Sequence, residues 1–206
     1  MKYKLIRKDP SKQPKSGIYS DWKVQISEEC FKQCVYCTIS EANWGGLDHY
    51  HIDHFRPKSK RAFAHLENDI CNLFYACPIC NRFKSDDWPN DPDLTLPSYP
   101  DPSITDYSSI FSFDDSSFQL RGKNISANYL INRLYLNRAQ LIYERREVYL
   151  GEKDASLINW FNEKLKEIKD ADLLASALLS IIEIKKHIAK RKDIRPYKLA
   201  EIRKNS

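Results

Sequence analysis

His51-Ile52-Asp53-His54-Phe55-Arg56-Pro57, then Asn72-Leu73, then Cys77-Pro78-Ile79-Cys80-Asn81-Arg82-Phe83-Lys84 is the stretch around which the chain is organised, and Cys34-Val35-Tyr36-Cys37 precedes it. Two Cys-x2-Cys pairs can each grip one side of a tetrahedral Zn²⁺, so Cys34, Cys37, Cys77 and Cys80 predict a closed four-sulfur structural site. Asp53, His54 and Asn81 are harder donors. Beside a saturated zinc they predict a different ion or acid–base work.

Outward from this motif, Leu47 to Phe55 reads as one strand that Pro57 stops, since proline has no backbone donor. Regular alternation puts His49, His51, Asp53 and Phe55 on one face and Tyr50, Ile52 and His54 on the other. Asp53 and His54 then share a site only where the strand curls or ends. Ile70 to Ala76 is a second strand, and a helix is expected to start from Cys80. The order of knuckle, strand, loop, strand, knuckle and helix predicts a small ββα unit. Such a unit buries little apolar surface alone, so zinc would supply folding free energy that its core lacks. Phe31 and Tyr36 are expected to pack on the metal site.

The remaining sequence is that of an ordinary globular protein. The 206 residues are 42% hydrophobic and 30% charged, which argues against disorder. No stretch is apolar and long enough to span a bilayer, and the N-terminus lacks the apolar centre of a signal peptide, so a cytoplasmic protein is expected. In that compartment six cysteines point to metal rather than disulfides. Cys30 and Cys71 fall outside the quartet and read as small buried hydrophobes.

Pro89, Pro92, Pro97, Pro100 and Pro102 make residues 88–102 an extended connector. A β-hairpin follows over Ile110–Phe113 and Phe118–Leu120. From Ser126 apolar residues recur at three- and four-residue spacings, predicting three or four helices, with Asn137 and Asp170 as caps and Trp160-Phe161 in the core. The fold class is therefore α+β, a zinc-clamped ββα core with a mainly α-helical C-terminal part. Its division is expected at residues 1–103 and 104–206, with the second part packing on the first. Residues 183–206 carry nine Lys or Arg against three acidic residues, a tail suited to a polyanion or simply a solvated face.

Phosphodiester hydrolysis needs a base for water, a cation for the charge of the transition state and help for the leaving oxygen. His54 suits the base, because an imidazole accepts a proton near neutral pH. Asp53 and Asn81 offer oxygen, which suits Mg²⁺ or Mn²⁺. Asn72 suits a supporting role, its amide holding the backbone around His54. Arg56, Lys58, Lys60 and Lys84 are candidates for contacting a nucleic-acid backbone. His51 could be a further ligand or a hydrogen-bonded structural histidine.

Asp53-His54 with Pro57, Asn72-Leu73 and Cys77-x2-Cys80-Asn81-x2-Lys84, framed by Cys34-x2-Cys37, resemble the HNH endonucleases of the zinc-stabilised ββα-metal type. The resemblance implies His54 as general base, Asp53 and Asn81 as ligands of the catalytic ion and Asn72 as structural support. Asn stands where the third letter of the family name has His. His54-Phe55-Arg56-Pro57-Lys58-Ser59, and Leu134-Tyr135-Leu136-Asn137-Arg138 with Arg145 or Arg146 downstream, also resemble the HNH component of Septu-type and retron-linked bacterial defence systems. That likeness implies an effector nuclease of anti-phage defence acting on DNA beside an ATPase partner. The reading from a different class is a non-catalytic, zinc-stabilised adaptor that binds nucleic acid.

Overall fold

A computed structural model describes residues 3–192 of the chain. The protein is a mixed α+β structure that forms two compact units, Met1–Arg138 and Ala139–Ser206.

The first unit opens with α1 (Lys23–Glu29) and then builds the predicted ββα arrangement from β1 (His51–His54), β2 (Leu73–Ala76) and α2 (Pro78–Lys84). β1 and β2 are antiparallel, with His51 opposite Ala76, Asp53 opposite Phe74 and His54 opposite Leu73. All four residues of β2 are fully buried, which is why its sequence reads as a continuous apolar run rather than an alternating one. Cys77 caps α2, its sulfur accepting from Cys80 N at 3.4 Å, and Pro78 fills the first turn, where a missing N–H costs nothing.

Both strands are shorter than the sequence suggests. Leu47–His49 is a 3₁₀ turn that follows two left-handed glycines, Gly45 and Gly46. Ile70–Asn72 is another, capped by the Asp69 side chain on Cys71 N at 2.9 Å. In each case apolar spacing within a tight turn imitates strand alternation. β1 ends at His54, and its last three residues, Ile52, Asp53 and His54, all border one cleft.

The proline-rich connector is not a free linker. Its C-terminal part, Ser98–Pro100, is buried, and Tyr99 stacks parallel to Trp88 while donating to Asp87 Oδ2 at 2.8 Å. Beyond it lie a single helical turn, α3 (Tyr107–Ile110), the antiparallel pair β3 (Phe111–Phe113) and β4 (Leu120–Gly122), and α4 (Ile125–Arg133). These elements belong to the same compact unit, Met1–Arg138, as the four-cysteine segment.

In the second unit, α5 (Ala139–Leu165) packs on α6 (Ala171–Lys192), and Asp170 caps α6 by accepting from Leu173 N at 2.8 Å. Trp160 stands 56% exposed, which corrects its reading as core: helical spacing identifies a face but not what covers it. Of the basic tail, Lys185, Lys186 and Lys190 are exposed on α6, while residues 193–206 lie outside the described residues.

Candidate active site and metal centre

The two knuckles bring Cys34, Cys37, Cys77 and Cys80 together, all buried, with every pair of sulfurs within 4.8 Å. Cys37 Sγ and Cys77 Sγ are 3.7 Å apart. A tetrahedral zinc with Zn–S bonds of about 2.3 Å would set sulfur–sulfur distances near 3.8 Å, so the cluster suits a structural zinc. Burial drives the Cys34 thiol well above its usual range, while hydrogen bonds from the other three cysteines lower that of Cys77. A cation resolves that conflict by accepting all four as thiolates. Cys30 is separate: it is buried, accepts from Tyr75 N at 3.4 Å, and burial pushes its thiol up to about 11. Cys71 is only half-buried. Phe31 is 45% exposed under the Lys4 ammonium, so only Tyr36 of the expected aromatic pair enters the core.

Asp53, His54 and Asn81 line one open cleft of about 430 Å³, together with Tyr19, Lys58 and Asp86. His54 Nε2 lies 2.9 Å from the Glu67 carbonyl oxygen. A carbonyl can only accept, so Nε2 carries the proton and Nδ1 keeps its lone pair. Burial lowers the His54 pKa, which favours this neutral form, and the Tyr19 ring meets the imidazole edge-on at 4.7 Å.

Asn72 is buried where β2 begins. Its Oδ1 accepts from Arg56 N at 2.8 Å, and its Nδ2 donates to the carbonyls of Arg56 at 3.1 Å and Leu66 at 3.3 Å. One amide thus ties both ends of the loop that follows His54.

The Asp53 carboxylate is buried and accepts from Tyr36 Oη at 2.5 Å and from Lys84 Nζ at 3.0 Å. Burial raises the Tyr36 pKa well above its ordinary value, so the phenol stays a donor. Lys84 also donates to the His54 carbonyl at 2.7 Å and has no exposed surface. This corrects the expectation that Lys84 contacts a phosphate: its ammonium lies beneath the site, holding Asp53 and the end of β1.

The other cations are also engaged. Lys58 lines the cleft but pairs with Glu67 at 2.6 Å and bonds Tyr19 Oη at 3.0 Å. Arg56 faces Asp91 at 4.0 Å, and Lys60 donates to the Trp88 carbonyl at 3.1 Å. His51 is exposed, and its Nδ1 lies 3.2 Å from Asn81 Nδ2. That bond leaves Asn81 Oδ1 without a protein partner among the described residues. Tyr19, Tyr36 and the Glu67 carbonyl escape the sequence reading. Tyr19 sits in an irregular lead-in, Tyr36 looks like packing within a knuckle, and a main-chain carbonyl has no residue signature.

A ββα unit with a four-cysteine cluster suited to zinc thus carries an oriented imidazole and residues with oxygen donors around one cleft. Residues 34–87 match the family model described as HNH endonuclease, so this part of the chain is an HNH endonuclease domain. No curated protein and no solved structure matches the chain. The domain supports a nuclease-type function. Among the described residues no helix is long and apolar enough to cross a membrane.

Proposed function

We propose that the protein is a metal-dependent HNH endonuclease that hydrolyses phosphodiester bonds in DNA, a cytoplasmic effector of bacterial anti-phage defence working beside an ATPase. The observation that carries the catalytic reading is His54, whose Nε2–H is fixed on the Glu67 carbonyl, leaving the Nδ1 lone pair free to accept a proton, and which lines one cleft with Asp53 and Asn81. His54 Nδ1 takes a proton from the attacking water, and its lowered pKa keeps it ready to do so at neutral pH. Asp53 and Asn81 would hold Mg²⁺ or Mn²⁺, their two oxygen donors leaving the remaining positions to water and phosphate. The ion when bound neutralises charge on the phosphate and its leaving oxygen. Lys58 supplies positive charge at the cleft wall. Asn72 and Lys84 keep the backbone around His54 in place. The defence role and the ATPase rest on the resemblance of the motif from His54 to Ser59 and of Leu134 to Arg138.

The adaptor reading has one observation in its favour: both oxygens of Asp53 already accept hydrogen bonds, from Tyr36 and Lys84. Plasmid cleavage by purified protein with Mg²⁺, Mn²⁺ or EDTA separates the two, with the His54→Ala variant in parallel. Cleavage is expected only with the divalent ion and should fall by roughly 10²-fold or more in the variant, with zinc content and DNA affinity unchanged. Undiminished cleavage by His54→Ala overturns the assignment of the base. Binding without cleavage under every condition, the ATPase added included, supports the adaptor.

A further inference from the structure

Leu134-Tyr135-Leu136-Asn137-Arg138 takes no part in the chemistry above, yet it is held by a dense set of contacts. α4 ends with Leu134 buried, and Tyr135 adopts a left-handed conformation, φ 48°. The chain then doubles back, Leu136 N donating to the Ile131 carbonyl at 2.9 Å, and Leu136 is fully buried. Asn137 bonds both backbone groups of Leu120, Oδ1 accepting from N at 2.8 Å and Nδ2 donating to O at 2.9 Å. The Tyr135 ring lies 4.9 Å from that of Phe83 on α2.

This hook delivers Arg138 to the metal centre. Its Nη1 and Nη2 each lie 3.8 Å from Cys80 Sγ, and Nη1 also donates to the carbonyls of Leu134 at 3.2 Å and Tyr135 at 3.3 Å. Nε is buried with no hydrogen-bond partner. Burying a guanidinium with an unpaired N–H is costly and needs an offsetting attraction. Four thiolates around a divalent zinc leave a net charge of about −2 in a buried centre, and the Cys80 sulfur is where Arg138 meets it.

We propose that Arg138 is a positioning residue of the zinc–thiolate centre, its two N–H groups on Cys80 Sγ, so that zinc retention by residues 34–87 depends on a side chain outside them. The guanidinium offsets part of the charge and draws electron density from the Cys80 thiolate, and its fork suits this better than a lysine ammonium. Partners of this kind typically change metal affinity by about 10- to 100-fold.

The test compares the full-length wild type with Arg138→Gln and Arg138→Lys, loaded with Zn²⁺ for chelator competition and with Co²⁺ for absorption spectroscopy. Arg138→Gln should hold zinc about 10-fold or more weaker, and its sulfur-to-cobalt charge-transfer band should shift while the d–d bands keep their tetrahedral form. Arg138→Lys should fall between in both readouts and carries the comparison if the Gln variant does not fold. Unchanged affinity overturns the proposal. So does weaker binding with an unmoved charge-transfer band, which would mean that Arg138 only supports the fold.

Discussion

In the HNH segment β2 is buried at every position, and a lysine and an aspartate lie paired beneath the cleft with almost no contact with water. In the helical pair the large side chains Val148, Leu157, Trp160, Leu178, Leu179 and Ile182 remain 41–65% exposed. The first region has short elements, gathered around a buried four-cysteine cluster suited to zinc and a buried ion pair. The second has two long helices, with exposed i,i+3 pairs such as Lys186–Glu183 along α6. Regular secondary structure and a well-determined site are therefore separate properties. The shorter, less regular region is the one that brings Asp53, His54 and Asn81 around one cleft.

Removing zinc should break this contrast most severely. Chelation, or Cys77→Ser, withdraws a contribution on the order of 10 kcal/mol from a segment that cannot replace it. Calorimetry should show the cooperative transition of the first unit lost. A transition that survives complete metal removal would mean that the apolar core suffices.

Next in size is Lys84→Met. It leaves the Asp53 carboxylate buried without its cation, with an expected cost of about 3–5 kcal/mol in urea unfolding. Adding Asp53→Asn should recover much of that loss, because the pair is then replaced rather than broken. A double variant as unstable as the single one would show that Lys84 acts through the His54 carbonyl instead. Trp160→Ala in α5 marks the low end, with a change below about 1 kcal/mol for a side chain largely in water. A loss of 3 kcal/mol would show that the indole is covered in solution.

The zinc-clamped ββα order was readable because paired knuckles constrain what can lie between them, and Cys-x2-Cys spacing has few other uses. Strand limits were not, because Leu47–His49 and Ile70–Asn72 show apolar spacing whether extended or wound into a 3₁₀ turn. Asp53, His54 and Asn81 could be listed as a set, and the structure places them around one cleft. Lys84 was misread for a general reason: lysine is so seldom fully buried that sequence assigns it to the surface, and only the position of Asp53 in space shows otherwise. Trp160 illustrates the reverse error, an aromatic taken as core because nothing in its spacing reveals what lies beyond the helix.

The contact between His54 and residue 67 is made by a carbonyl and not by the glutamate side chain. Orientation of the imidazole is thereby written into the path of the loop rather than into the identity of an amino acid. Nearly any residue can stand at 67 and still present the same oxygen, whereas lengthening or shortening the chain between Arg56 and Asn72 would move that oxygen even with every named side chain in place. The site is accordingly more tolerant of substitution at this point than of insertion, and a search for the hydrogen-bond partner of the imidazole among the side chains of the described residues would find none.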